Sequence, residues 1–153
     1  MKPVILSVRH VRQQAEGECV AACASMVLGY MGLTVAYDQL LKLIRVNWFG
    51  TPFFKLRELE QLGVTVIYKQ GLLRELHEHL LNDRPCIAFV RTSELSYWSL
   101  ATDHSVVVVG LDDKSVYLND PEFADAPIPV SRGDFDLAWL ERDEIYAVLL
   151  KRR

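Results

Sequence analysis

Four side chains in this sequence are of the types that a cysteine nucleophile needs for attack on a carbonyl carbon. Such an attack requires a thiolate, a base that holds and returns its proton, a residue that orients the base, and hydrogen-bond donors for the oxyanion. Cys19, His104, Asp120 and Gln13 are candidates for these four roles, in that order. The sequence therefore predicts acyl-transfer chemistry, on the condition that the fold brings these distant positions together.

Cys19 is the candidate nucleophile because it stands at the start of a predicted helix. Apolar residues follow it at the three-and-four spacing of one helical face, and Gly32 ends the pattern. Free backbone N–H groups and the positive dipole end at a helix start can lower a thiol pKa from about 8.5 to roughly 3.5–7.5. Gln13 lies upstream and carries an NH₂ group that can serve in an oxyanion hole. Cys23 and Cys86 have no such position, and we interpret them as buried core residues.

His104 and Asp120 are predicted to be neighbours on two adjacent strands. His104 precedes the apolar run 105–109, and Asp120 follows the strand 116–118, which begins after a hairpin turn. Hairpin pairing places the two side chains close together, so the carboxylate can hold one imidazole nitrogen and leave the other for the sulfur.

Two further residues compete with Asp120 for the role of orienting the imidazole. Asp103 precedes His104 directly, but adjacent residues of a strand point to opposite faces, so it is poorly placed to reach that ring. Asn119 precedes Asp120 and stays open as an alternative, because an asparagine can orient a histidine in the same way.

These residues must be positioned by a helical first half and a strand-rich second half. Helical spacing predicts helices, while short β-branched or continuous apolar runs predict strands. The order of the segments predicts an α+β domain in which an N-terminal helical half packs against a C-terminal antiparallel β-sheet, with the active site between them. The predicted helices are 19–31, 37–44, 53–62 and 72–81, the predicted strands are 64–68, 86–90, 105–109, 116–118 and 145–150, and 112–115 is a hairpin turn.

The order and spacing of these residues resemble those of a known family. Gln13-x₅-Cys19 opens a helix rich in small residues, the segment 103–110 has the sequence DHSVVVVG, and the segment 117–121 has the sequence YLNDP. This pattern resembles the bacteriocin-processing peptidases, which are papain-like cysteine peptidases that remove leader peptides after a double-glycine motif. The resemblance covers most of the chain, about residues 9–150.

The resemblance implies a papain-like fold and a role for each candidate residue. Gln13 matches the family's oxyanion glutamine, Cys19 its nucleophile, His104 its base and Asp120 its orienting carboxylate. Where the family usually has glycine after the cysteine, this chain has Val20. The bulk of that side chain is expected to crowd the leaving-group side of the cleft or to change the backbone at the nucleophile.

The same resemblance implies a peptide or protein substrate that carries a leader. The best-known family members are fused to an ATP-driven exporter, whereas this sequence has neither a membrane span nor a Gly-x₄-Gly-Lys-Ser/Thr phosphate loop. We therefore expect a stand-alone relative or an excised domain, with a separate exporter as partner. Two alternatives stay open: a catalytically silent module that binds leader peptides, and another acyl transfer, such as transpeptidation, deamidation or removal of a ubiquitin-like tag.

Length and composition are typical of one soluble globular domain, residues 1–153. The net charge of −3 argues against nucleic acid as a partner, and the N-terminus lacks the pattern of a secretory signal, which predicts a cytoplasmic location. The proposed chemistry needs no cofactor. A zinc site made of Cys19, Cys23 and His104 is the metal-binding alternative, although no second Cys or His pair stands at ligand spacing.

The loop 91–103 is the predicted specificity element, because it leads directly to the candidate base. It carries Tyr97 and Trp98, and an earlier loop carries Trp48 and Phe49. We interpret most of these aromatic residues as core or loop anchors and expect some of them to line a substrate groove.

Overall fold

A computed structural model describes residues 1–47 and 50–152 and has the predicted α+β architecture. Trp48 and Phe49, for which the sequence predicts anchoring or groove-lining roles, lie outside the described residues, as does Arg153. Within the described part of the chain, no helix has both the length and the apolar character needed to cross a membrane.

Helices and strands alternate along the described chain, whereas the sequence predicts mostly helices in the first half and strands in the second. The helices are α1 (Cys19–Tyr30), α2 (Tyr37–Leu43), α3 (Leu73–Leu81) and α4 (Arg132–Leu140), and segments of 3₁₀ helix span Phe53–Leu62 and Thr92–Glu94. The strands are β1 (Val4–Ile5), β2 (Val64–Gln70), β3 (Cys86–Arg91), β4 (Asp103–Leu111), β5 (Ser115–Asn119), β6 (Ile128–Ser131) and β7 (Ile145–Lys151).

One antiparallel sheet organises the described residues. Its strand order is β2-β7-β3-β4-β5-β6, and β1 also pairs with β4. The predicted turn at 112–115 joins β4 to β5, where the Asp112 N–H donates to the Ser115 carbonyl at 3.0 Å. The sheet therefore places β4, which carries the candidate base, at its centre.

Both faces of the sheet are buried, and this explains why its central strands are continuous apolar runs instead of alternating ones. One face packs against α1, α2 and the 3₁₀ segment Phe53–Leu62, through Ile87, Phe89, Val107 and Val109. The other face packs against α3 and α4, through Ala88, Val90, Val106 and Val108. The helices are thus divided between two faces, an arrangement that the predicted order of helices before strands did not include.

The segment 53–62 is a 3₁₀ helix, where the apolar spacing predicted an ordinary helix. Leu56 and Leu59 are fully buried, and Phe53 and Leu62 pack partly buried against the same core. These positions are three residues apart, which is the repeat of a 3₁₀ helix, so they all lie on one side of it. Gly63 ends the segment at φ = 86°, as predicted.

Four elements of the described residues were not predicted from the sequence, one of them the 3₁₀ segment Thr92–Glu94. Strand β1 is only two residues long, and β6 contains Pro129, which is tolerated because β6 lies at the sheet edge. Helix α4 had a usable signal: the Ser131 hydroxyl accepts from the Asp134 N–H at 3.1 Å, and the apolar residues Phe135, Ala138 and Trp139 follow at helical spacing.

Candidate active site

Cys19 is the first residue of α1 and lines a cleft of about 900 Å³. The alanines of this helix, Ala21, Ala22 and Ala24, are fully buried, so α1 packs closely on the sheet and fixes the position of its first turn. The remaining cleft walls come from the N-terminal segment, the loop that follows α2, and the loop that leads to β4. Its lining includes Gln13, Gly17, Cys19, Gly50, Phe53, Tyr68, Trp98, Leu100, His104 and Glu122.

His104 and Asp120 form a buried pair at the end of the central strands. His104 is the second residue of β4, and Asp120 comes directly after Asn119, which pairs with Val107 across the β4–β5 ladder. The His104 Nε2–H donates to Asp120 Oδ1 at 2.7 Å. The His104 side chain is 5% exposed and that of Asp120 is fully buried, so the pair is shielded from water. The hairpin brings these two residues together as the sequence predicts.

The two rival residues are engaged elsewhere. Asp103 accepts a hydrogen bond from Arg91 at 3.2 Å and lies 3.7 Å from Arg142 on a half-exposed surface. The buried Asn119 donates through its Nδ2 to the Val8 carbonyl at 3.2 Å, which ties β5 to the N-terminal segment. Asp120 is therefore the carboxylate that contacts the imidazole.

His104 also hydrogen-bonds Cys19, and the pKa values of the two groups move in opposite directions. Burial by itself raises the pKa of the Cys19 thiol, but the hydrogen bond and positive charge of His104, together with hydrogen bonds from Ser105, lower it overall. Burial by itself lowers the pKa of His104, but Asp120 and Cys19 raise it to about 9. Because Nε2 is held by Asp120, Nδ1 is the nitrogen that faces the sulfur. These shifts favour a thiolate–imidazolium pair near neutral pH.

Asp120 is held by four donors, three of which the sequence analysis did not assign to it. The Tyr97 hydroxyl and the Trp98 Nε1–H donate to Oδ2 at 2.8 and 2.9 Å, and the Glu122 backbone N–H donates to Oδ1 at 3.0 Å. Burial raises the pKa of Asp120, whereas the His104 hydrogen bond and charge, with the other donors, hold it below its usual value. The edge of the Trp98 ring also packs on His104, with centroids 4.8 Å apart.

Tyr97 and Trp98 lie on the loop between β3 and β4, and hydrogen bonds between Thr92 and Thr102 join the two ends of this loop. The Thr92 N–H donates to the Thr102 carbonyl at 2.9 Å, and the Thr102 N–H donates to the buried Thr92 hydroxyl at 2.8 Å. Trp98, Leu100 and Thr102 line the cleft. The loop therefore joins the cleft wall to the carboxylate that orients His104, a link that no local sequence pattern indicates.

Gln13 lies at the cleft, with its side chain turned towards its own loop. Its Nε2–H donates to the Ala15 carbonyl at 3.2 Å, which leaves the second N–H of the amide for another acceptor. Its buried Oε1 has no hydrogen-bond partner among the described residues. The Gln13 backbone N–H donates to the Pro121 carbonyl at 2.8 Å, so the segment that carries Gln13 is tied to the residue after Asp120.

Gly17, two residues before the candidate nucleophile, allows two loops to touch. Gly17 has φ = 81°, and a Cβ placed on it would lie 3.0 Å from the Cα and N of Gly50. Asn47 and Gly50 form an isolated antiparallel bridge at this point. A side chain at position 17 would push these two cleft walls apart, so the close approach helps to set the entrance to the cleft.

Two further sequence expectations concern Cys19 and its neighbours on α1. The Val20 side chain is fully buried in the core and is not among the cleft residues, so it leaves the leaving-group side of the cleft uncrowded. For the zinc alternative, the described residues contain no group of three or more His, Cys, Asp or Glu side chains arranged to hold a metal ion.

The fold and this arrangement together define the class: the domain has the architecture of papain-like peptidases. The Peptidase C39 family model matches residues 7–145, and the chain therefore belongs to the peptidase C39 family. The expected relationship to double-glycine peptidases is confirmed at this level. Among proteins with curated descriptions, none matches the sequence.

Solved structures of this family have the same fold over nearly the whole chain. A C39-like peptidase from Bacillus anthracis superposes with a TM-score of 0.81 at 21% identity, covering 99% of each chain. A double glycine motif protease from an AMS/PCAT transporter, in complex with its leader peptide, superposes with a TM-score of 0.76 at 22% identity, also covering 99% of each chain. The peptidase domain of Streptococcus ComA, a bi-functional ABC transporter, superposes with a TM-score of 0.76 at 19% identity, covering 95% of this chain and 99% of that one.

Proposed function

We propose that this protein is a cysteine peptidase that hydrolyses a peptide bond with Cys19, His104 and Asp120. The observation that carries this proposal is the hydrogen-bonded series from Asp120 to His104 to Cys19, in which the thiol pKa is lowered and the imidazole pKa is raised. A series of this kind activates a thiol and leaves the protonated base beside the bond to be broken.

The proposed reaction begins with the thiolate of Cys19, which attacks the carbonyl carbon of the scissile bond. The C–N bond breaks as His104 Nδ1–H gives its proton to the leaving amine, and an acyl thioester remains on the sulfur. Water then attacks this thioester, losing its proton to His104, and the thiolate is regenerated. Asp120 holds the imidazole ring through Nε2 in both steps.

Gln13 and the Cys19 backbone N–H are the proposed oxyanion donors. Gln13 reaches the cleft, and one N–H of its amide is not used by the contact with Ala15. The amide must turn towards the substrate when the carbonyl oxygen develops charge. Loss of one such donor costs on the order of 10²–10³ in rate, so Gln13→Ala is expected to lower turnover by that factor.

A leader or precursor peptide cleaved after a double-glycine motif is the substrate that we propose. The support is family membership, together with a relative that is a double glycine motif protease bound to its leader peptide. A second relative is the peptidase domain of a bi-functional ABC transporter, which supports an exporter as the partner of this domain. A cytoplasmic location accords with such a partnership and stays a prediction.

The experiment that tests the proposal uses synthetic precursor peptides with Gly-Gly between a leader and a cargo segment. Wild-type protein, Cys19→Ala and Asp103→Asn are incubated with each peptide, and the products are identified by mass. We expect the wild type and Asp103→Asn to give a leader fragment ending in a free carboxylate, and Cys19→Ala to give none.

The product masses, together with a binding measurement, distinguish the alternatives. A peptide that binds in calorimetry but is not cleaved would identify a silent leader-binding module. A leader joined to an added amine, or an amide converted to an acid with the chain uncut, would identify transpeptidation or deamidation. Either result contradicts hydrolysis as the function.

A further inference from the structure

A buried hydroxyl lies beside the candidate nucleophile and has no part in the reaction described above. Ser105 is fully buried on β4, between His104 and the apolar run 106–109. Residues of a strand alternate between faces, so Ser105 lies on the same face as Val107 and Val109, which pack against α1. A hydroxyl in such an apolar layer requires hydrogen-bond partners.

The partners of Ser105 are two cysteines one helical turn apart. The Cys23 Sγ–H donates to Ser105 Oγ at 3.6 Å, and both the hydroxyl and the backbone N–H of Ser105 hydrogen-bond Cys19. Positions four residues apart share a helix face, so α1 presents both sulfurs to the same point of β4. A serine hydroxyl has one proton to donate and two lone pairs to accept, and this arrangement uses the proton and one lone pair.

The direction of these hydrogen bonds is fixed by which sulfur keeps its proton. Burial and the neighbouring Cys19 charge raise the pKa of Cys23, so its thiol stays protonated and acts as a donor. Cys19 as a thiolate can only accept. The hydroxyl proton of Ser105 must therefore point at Cys19, with the Cys23 S–H behind it.

We propose that Ser105 is a catalytic hydrogen-bond donor to the Cys19 thiolate, and that Cys23 is a positioning residue which orients the Ser105 hydroxyl. This inference deepens the proposed function and rests on Cys19 being its reactive thiolate. It gives a role to a second cysteine that sequence analysis assigned to the core alone. The Ser105 hydroxyl stabilises the negative charge on the sulfur before substrate binds, and this stabilisation is lost when the sulfur becomes a neutral thioester.

The ionisable groups that face this point are few. The charge of His104 on β4 acts on Cys19, and the charges of Cys19 and of Asp120 act on Cys23. The Tyr37 hydroxyl of α2 and the Tyr97 hydroxyl of the β3–β4 loop also interact with Cys23, and burial raises the pKa of both tyrosines. Glu18, next to Cys19, accepts hydrogen bonds from the Tyr37 hydroxyl of α2 and from the Gln14 N–H, so its carboxylate is turned away. His104 supplies the charge that balances the thiolate, and Ser105 supplies a neutral donor.

The test measures the rate of Cys19 alkylation by iodoacetamide from pH 4 to 9, with intact mass and peptide mapping to confirm the site. A hydrogen bond to a charged group is strong enough to change an equilibrium constant about tenfold. At a pH below the thiol pKa, Ser105→Ala is therefore expected to slow alkylation about tenfold and to move the acid limb up by about one pH unit. Cys23→Ala is expected to slow it about twofold to threefold, because a thiol is a weak donor.

Three further variants separate this role from simple packing. Cys23→Ser keeps a donor and is expected to restore the wild-type profile, whereas Cys23→Ala in a Ser105→Ala background is expected to change nothing further. Cys86→Ala removes an equally buried thiol from the opposite face of the sheet, where Sγ contacts the Leu76 and Arg84 carbonyls. Cys86→Ala is expected to lower the unfolding temperature but to leave the pH dependence of Cys19 alkylation unchanged.

The outcomes are distinguishable from failure of the proposed function. If wild-type Cys19 is alkylated only above pH 8, no activated thiolate exists, and both the proposed function and this inference fail. If wild-type Cys19 is alkylated rapidly near neutral pH and Ser105→Ala keeps the same acid limb while remaining folded by circular dichroism, only the inference fails.

Discussion

Replacement of Asp120 by asparagine tests the central pair of this site most directly. The substitution keeps the shape of the side chain and removes its charge. In the wild type, burial lowers the pKa of His104, but Asp120 first and Cys19 second overcome that effect and raise it from 6.5 to about 9. A rise of that size corresponds to about 3 kcal/mol, since one pKa unit is about 1.4 kcal/mol.

The expected result follows because burial remains when the charge is gone. The imidazole of Asp120→Asn stays nearly inaccessible to water, so its pKa is expected to fall by at least about one unit, and in a Cys19→Ala background to below its ordinary value. Titration of ¹³C-labelled histidine followed by NMR measures this change. Asp103→Asn is the matched control, because Asp103 pairs with Arg91 at the surface.

Stability is expected to respond with a defined sign. The raised pKa of His104 means that its contribution is fully present below pH 6.5 and is lost as the pH rises through about 9. The lowered pKa of Asp120 means that its contribution is present above 3.8 and is lost as the pH falls. Both contributions are present between pH 3.8 and pH 6.5. In that range the unfolding free energy of wild type should exceed that of Asp120→Asn by about 3–5 kcal/mol, the cost of breaking a buried pair.

An unchanged His104 pKa in Asp120→Asn would refute this reasoning. So would an equal shift in Asp103→Asn, because the effect would then come from general surface charge. A difference in unfolding free energy between wild type and Asp120→Asn that stays the same above pH 9 would also contradict it, because the wild type is predicted to lose the contribution of the pair there.

The remaining predictions concern the groups around the pair and the cleft entrance. Tyr97→Phe removes a hydrogen bond to the buried carboxylate of Asp120, and we expect the free energy of unfolding in urea to fall by about 1.5–3 kcal/mol. Trp98→Phe is expected to lower it by at least as much, because packing on the imidazole is also reduced. An unfolding free energy equal to wild type in both would contradict the donor assignment. Gly17→Ala combines a positive φ with a 3.0 Å approach to backbone and is expected to destabilise the protein by more than about 1 kcal/mol and to slow Cys19 alkylation. Gly29→Ala, where a Cβ meets open space in α1, is the control and is expected to stabilise by about 0.5–1 kcal/mol; equal effects of the two would show that the contact with the neighbouring loop is unimportant.

Two parts of the cleft have different proposed roles, and these predictions test each part separately. The N-terminus of α1 and the end of β4 supply the proposed reacting groups, and both are fixed by buried helix–sheet packing. The loops supply the groups that orient them, through side-chain hydrogen bonds to one carboxylate. A change in the loop between β3 and β4 is therefore expected to act on reactivity through Asp120, without touching Cys19.

Part of the fold and of the site could be predicted because the signals are local. A helix start at Cys19, continuous apolar strands and a hairpin turn each depend on a few consecutive residues. The choice of Asp120 over Asp103 also followed from local geometry, because strand residues alternate between faces. The 3₁₀ helix was missed because three-residue and four-residue repeats overlap within a short window.

Other features depend on segments far apart in the chain, and only the tertiary structure decided them. The division of the helices between two faces of the sheet follows from burying both faces of β3 and β4, which no single segment specifies. Asn119 was excluded from the imidazole by its bond to Val8, more than a hundred residues away in sequence. The same holds for the meeting of Ser105 with Cys23.

The sequence by itself determined which chemical groups are present and which of them stand at helix and strand ends, because backbone geometry fixes those positions locally. The tertiary structure decided how each group is charged. The pKa values of Cys19 and His104 depend on burial and on charges brought within hydrogen-bond distance, and both are properties of the assembled core. The thiol pKa at this site is therefore set by packing around a cysteine that the sequence alone could single out as the candidate nucleophile.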